Sequence, residues 1–152
     1  MAMPAAPHPA IGVWKLNLNK SSFRLVPTAS VLRVEPWGNG LQVSANTNDV
    51  QRKTLHPTIA YKFDGRDYPL KGSPLADTIS AKRINQRTSE NVWKKHGKVV
   101  LTVRIVVSKD GKTLSLTRTS PDGQEQMVQE VMVYDRQKPE RALLALSQGA
   151  RF

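Results

Sequence analysis

The chain contains no cysteine. Disulfide staples, thiolate zinc sites and cysteine nucleophiles are therefore excluded. Acidic residues are scarce: 12 Asp plus Glu stand against 23 Lys plus Arg, a formal net charge of +11. Such a balance favours anionic partners, among them nucleic acid, phospholipid headgroups and acidic small molecules. The basic residues are spread over the whole chain, which is also the pattern of a solvated, solubilising surface. No apolar run approaches the ~18 residues that a membrane-spanning helix needs. No Gly-x-Ser-x-Gly elbow, phosphate-binding loop or Gly-x-Gly-x-x-Gly turn occurs, so the common serine-nucleophile and nucleotide sites find no foothold. Repeats of solenoid or propeller period are also missing, as is helical periodicity before the extreme C-terminal part.

What is present is a series of short apolar-alternating runs broken by turn dipeptides, the pattern of hairpin-rich all-β folds. In the clearest, Val103, Ile105 and Val107 alternate with Thr102, Arg104 and Val106, ahead of Lys109-Asp110-Gly111-Lys112. Read as a two-residue type I′ loop, Asp-Gly sets Val107 opposite Leu114, Ile105 opposite Leu116 and Val103 opposite Arg118. Val106–Ser115, Arg104–Thr117 and Thr102–Thr119 then share the polar face, so the register is self-consistent. A second hairpin runs over 59–70 through Asp64-Gly65. It sets Tyr61 against Tyr68, Ile59 against Leu70 and Lys62 against Asp67, with Pro69 marking an edge, bulge or strand end. A third joins 31–35 to 41–45 through Trp37-Gly38-Asn39-Gly40, with Leu32, Val34, Leu41 and Val43 on one face. Further strands are expected over 13–18, 78–83, 87–94 and 127–134, the last entered through Ser120-Pro121-Asp122-Gly123.

These runs predict an all-β, antiparallel up-and-down β-barrel of about 8–10 strands, closed because closure removes sticky edges. The 152 residues suit one domain with a sizeable core. Residues 1–10, rich in Pro and Ala, read as a flexible lead-in without the basic and apolar regions of a signal peptide. The barrel is expected over 11–137. Residues 138–152 are expected to form a helix and tail: Pro139 suits a first helical turn, and Ala142, Leu143, Leu144 and Leu146 give an apolar side to a helix over 139–146.

Gly12-Val13-Trp14, opening the first strand, resembles the Gly-x-Trp signature at the barrel start of lipocalins and fatty-acid-binding proteins, the calycins. The resemblance implies an Arg from near the last strand packed over the Trp, a role open to Arg136 or Arg118. The chain also resembles small secreted lipocalin-like proteins of soil bacteria. The shared patterns are Gly12-Val-Trp-Lys-Leu-Asn17, Tyr61-Lys-Phe-Asp-Gly-Arg-Asp-Tyr-Pro69, Ala76-Asp-Thr-Ile-Ser80 and Val107-Ser-Lys-Asp-Gly-Lys-Thr113, over residues 11–137. That likeness implies a periplasmic or secreted protein and supplies no chemistry.

Candidate site residues follow from charge on the wrong face. Arg118 falls on the apolar side of its hairpin, where a guanidinium is costly unless a carboxylate or bound anion pairs with it. In fatty-acid-binding barrels an internal Arg and Tyr hold a ligand carboxylate, and the resemblance extends that role to Arg118 with Tyr61, Tyr68 or Tyr134. A rim position or packing over Trp14 is the plainer reading of Arg118. Arg83 is a second basic candidate. Glu90, Asp67, Asp77 and Glu130 could meet as acid and base inside a barrel, although each also suits a solvent-facing strand position. His8, His56 and His96 lack metal-ligand spacing, so neither metal nor cofactor is expected. Trp93-Lys-Lys-His-Gly-Lys98 and Arg33-Val-Glu-Pro-Trp37 are the nearest approach to the aromatic–basic interleaving of nucleic-acid surfaces.

Three functions remain open on the sequence. The first is a binding module with a small apolar or acidic ligand inside the barrel. The second is a cofactor-independent hydrolase, isomerase or cyclase using the same cavity. The third is a basic protein binding polyanions on its outer surface.

Overall fold

The computed structural model describes residues 7–23, 28–48, 51–121 and 126–138. Eleven strands occur in chain order: β1 (Gly12–Leu16), β2 (Val31–Trp37), β3 (Gly40–Asn48), β4 (Thr54–Leu55), β5 (Thr58–Tyr61), β6 (Tyr68–Pro69), β7 (Thr78–Arg83), β8 (Thr88–Lys95), β9 (Lys98–Val107), β10 (Thr113–Pro121) and β11 (Met127–Arg136). A single 3-10 turn, Leu18–Lys20, follows β1, with Asn17 accepting from the Asn19 N–H at its start. The helix expected over 139–146 and the turn residues Asp122 and Gly123 lie outside the described residues.

Every pairing in the sheet is antiparallel, and the order is β4-β3-β2-β1-β11-β10-β9-β8-β7-β6, with β5 also paired to β3. The sheet curls into a half-barrel. Its two flanks meet where Thr58 and Lys71 exchange backbone hydrogen bonds of 2.8 and 3.0 Å. The all-β, antiparallel expectation is therefore met, with two strands of only two residues raising the number above the expected 8–10.

The β9–β10 register is the expected one at all six pairs, from Val107–Leu114 to Thr102–Thr119. The turn that sets it differs. Gly111 alone has positive φ, +74°, and its N–H donates to Ser108 O at 2.9 Å, while Ser108 N–H donates to Thr113 O. A wider loop thus replaces the type I′ turn, and the register survives because the loop remains centred on Asp110-Gly111. The hairpin over 59–70 departs further. Its frame is kept at Thr58–Lys71, but β5 bonds to β3 and β6 to β7 instead of to each other. Tyr61 packs edge-on against Phe63, and Tyr68 against Trp37. Lys94 takes Asp67 at 3.1 Å, and Lys62 lies over the Trp37 ring. The nearby Phe63, together with Trp37 of β2 and Lys94 of β8, thus replaces the expected Tyr61–Tyr68 and Lys62–Asp67 partners. The β2–β3 hairpin keeps Leu32, Val34, Leu41 and Val43 on the inner face.

One end of the half-barrel is closed by Trp14, which is fully buried. Its Nε1 donates to Ala10 O at 2.9 Å, and the Arg136 guanidinium lies 4.2 Å from the ring centre. Arg136 donates to three backbone carbonyls, Pro9 O, Ile11 O and Gly111 O, at 2.6–2.7 Å. Those bonds tie the lead-in and the β9–β10 loop to the same guanidinium, and charge-assisted bonds of this kind compensate its desolvation. Gly12 is required beside it. Its φ is +142°, and a Cβ there would stand 2.5 Å from Arg136 Nη1. Gly12, Trp14 and Arg136 therefore form one closing unit, and Arg136, not Arg118, packs over the Trp14 ring.

Candidate functional site: an apolar cavity with a few polar groups

Inward-facing residues of the curled sheet leave a cavity of about 410 Å³. Its walls are aliphatic side chains such as Val34, Val43, Ile59, Ile79, Val103 and Leu116. They come from successive strands because side chains alternate across a sheet, so each strand contributes every second residue. Ala10, whose carbonyl accepts from the buried Trp14 indole, and Tyr134 also line it, and Leu75, 52% exposed, stands at the rim beside Ser73 and Pro74.

The polar groups in this cavity are few, and most have protein partners. Tyr134 is buried, its hydroxyl donates to Ser30 Oγ at 3.0 Å, and burial pushes its pKa up to about 12. Tyr61 is also buried, and burial raises its pKa, with the Asn91 amide at its hydroxyl working in the opposite direction. Both phenols stay neutral at physiological pH. Arg118 faces inward, as its register demands, and meets Glu130 on the neighbouring strand: Nη2 to Oε1 is 3.3 Å, with side-chain exposures of 18% and 17%. An internal carboxylate is thus a partner of this guanidinium.

The remaining sequence candidates are placed elsewhere. Tyr68 sits outside the cavity lining and donates to Asp64 Oδ2 at 2.7 Å. Arg83 is exposed at the end of β7, donating to Asn85 O and Gln86 O. The structure therefore gathers Arg118, Tyr61 and Tyr134 around the cavity and leaves out Tyr68 and Arg83. The carboxylates offered as acid and base do not converge. Glu90 pairs with Arg104, Asp67 with Lys94, and Asp77 lies by His96. Among the described residues no cluster of His and carboxylates could hold a metal, and no helix is long and apolar enough to cross a membrane. Of the two aromatic–basic turns, Trp93 faces the cavity, and Trp37 is flanked by Tyr68 and Lys62.

Sequence reading missed β8 as a source of polar lining: Ser89, Asn91 and Trp93 all face inward. Their spacing of two was visible, but their face was not, because polar residues at that period normally mark the solvent side. It also missed His8. That ring stacks on Phe63 at 5.4 Å, and its Nδ1 accepts from the Ala10 N–H at 3.0 Å. Burial, helped by the Arg83 charge, pulls its pKa from 6.5 to about 4. A second depression, about 450 Å³, runs along Lys15–Asn19 and Thr28–Val31. There Asp135 is already held by Asn17 at 2.8 Å and Lys20 at 3.1 Å.

The His8 pKa has a consequence for stability. The unfolded chain binds a proton below about 6.5 and the folded chain only near 4, so this contribution is complete above pH 6.5 and is lost as pH falls toward 4. Melting temperature is expected to drop over that window, and His8→Phe, which keeps a ring on Phe63, should flatten the drop. An equally steep decline in His8→Phe would remove His8 as its source.

No protein-family model matches the chain, and no curated protein matches it. The fold and cavity define its class directly: an antiparallel all-β half-barrel, compatible with a calycin-like fold, around an apolar interior.

Proposed function

We propose that this protein is a lipocalin-like binding module that holds a small, predominantly apolar and uncharged ligand inside its half-barrel. The cavity is the observation that supports this reading. Protein interiors are normally packed to crystal density, whereas about 410 Å³ is left open here between aliphatic walls. That volume falls in the ~300–1,000 Å³ range of small-molecule sites. The Arg118–Glu130 pair favours an uncharged ligand over a fatty-acid-like anion, because a guanidinium already facing a carboxylate attracts a second one weakly. The likeness to exported barrels makes the periplasm or the medium its proposed location, which fractionation of producing cells tests.

The experiment is uptake of the neutral dye Nile red, followed by its fluorescence. The dye should bind saturably with a blue-shifted emission. Leu116→Trp, which fills the cavity from its wall, should abolish uptake while melting temperature holds or rises. Absence of dye uptake by the unaltered protein, or undiminished uptake by Leu116→Trp, would overturn the internal site.

A further inference from the structure

The apolar lining is interrupted on β8, where two buried polar atoms have no hydrogen-bond partner among the described residues: Asn91 Oδ1 and Trp93 Nε1. Asn91 is 5% exposed, and both residues line the cavity. Their cross-strand neighbours cannot supply partners from side chains: Ala81 and Val103 flank Asn91, and Ile79 and Leu101 flank Trp93. An unpaired buried amide or indole N–H is costly, so it persists where something else satisfies it. The backbone reinforces the point. The β8–β9 register shifts between Trp93 and Lys94, and such bulges re-aim side chains beside functional sites. Asn91 and Trp93 are two residues apart on one strand, so an acceptor and a donor stand side by side on one wall.

We infer that Asn91 and Trp93 form the polar subsite of the cavity, which takes a neutral head group able both to donate and to accept a hydrogen bond, as an alcohol or carboxamide does, on an apolar body. Asn91 Oδ1 accepts from the ligand and Trp93 Nε1 donates to it. A carboxylate could accept from Trp93 but would face the Asn91 oxygen with no proton to offer. The Asn91 amide lies at the Tyr61 hydroxyl, which positions the carboxamide. This inference rests on the internal ligand site proposed above and specifies its chemistry.

The test is displacement of Nile red by 1-decanol, by its methyl ether, which accepts but cannot donate, and by decanoate. The alcohol should bind about five- to tenfold more tightly than the ether, and decanoate more weakly than the alcohol. Asn91→Leu should bring alcohol and ether to equal affinity, each read against that variant's own dye affinity. Trp93→Phe should weaken both and retain the alcohol's preference. Equal affinity of alcohol and ether in the unaltered protein, or a preference that survives Asn91→Leu, would overturn the subsite, as it would if resident water satisfied both atoms. Should Asn91→Leu fail to fold, the alcohol–ether comparison and Trp93→Phe still decide. Failure of dye uptake by the unaltered protein is a separate result that removes the cavity reading itself.

Discussion

Trp14→Ala is expected to cost about 3–5 kcal/mol, the range for truncating a large core aromatic. Trp14 is fully buried and belongs to the main apolar core with Leu16, Leu114 and Tyr134. Truncation would open a void at the closed end. It would also remove the indole donor to Ala10 O and uncover the Arg136 face that rests on the ring. Arg136 would keep its three carbonyl acceptors, so the unit should loosen without losing every tie. Trp14→Phe separates the contributions. It retains a ring under the guanidinium and drops the N–H, and should cost roughly 1–2 kcal/mol more than a hydrophobic swap alone. Urea denaturation followed by circular dichroism measures both. A loss under about 1 kcal/mol for Trp14→Ala would mean that the closed end does not depend on this ring.

Most of the sheet was legible because its signals are local. The Val103–Val107 and Leu114–Leu116 alternation, centred on Asp110-Gly111, admits one register that buries the aliphatic face, and that register is observed. The β2–β3 hairpin is readable for the same reason. The hairpin through Asp64-Gly65 was misread in its contacts because its strands bond to β3 and β7, partners distant in sequence. No local pattern reports that. The inward Arg118 was deducible from register, since Val103 opposite fixes its face. Its partner was not, because β11 has mixed periodicity: Glu130 lies two residues from Met132, which is buried on the same side. Asn91 and Trp93 were obscured by their chemistry. A Ser-x-Asn-x-Trp run looks like a wetted strand face, and only the curl of the sheet turns it inward. The packing of His8 on Phe63 was not legible, because a lone histidine in a Pro/Ala-rich segment carries no pattern that names its partner.

The Arg118–Glu130 pair allows the charge in the cavity wall to be assigned by a double-mutant cycle. Each side chain is more than four-fifths covered, and the two sit opposite each other on β10 and β11. Breaking a buried pair by removing one member leaves the other charge poorly solvated, which costs about 3–5 kcal/mol in fully buried cases. Partial exposure here reduces the expectation to about 2–3 kcal/mol for Arg118→Leu, with a similar loss for Glu130→Leu. The double variant should recover most of that loss, because two apolar side chains replace a pair whose desolvation had offset its attraction. The coupling energy should be about 1–3 kcal/mol. Ligand behaviour is the second readout. Nile red and 1-decanol uptake should persist in Arg118→Leu, since neither needs a cation. Glu130→Leu, which leaves an inward guanidinium without this carboxylate, should bind decanoate more tightly than the unaltered protein does. The opposite pattern, an Arg118→Leu variant that is more stable and loses decanoate uptake, would show that the guanidinium serves a ligand anion and that the cavity is built for an acid.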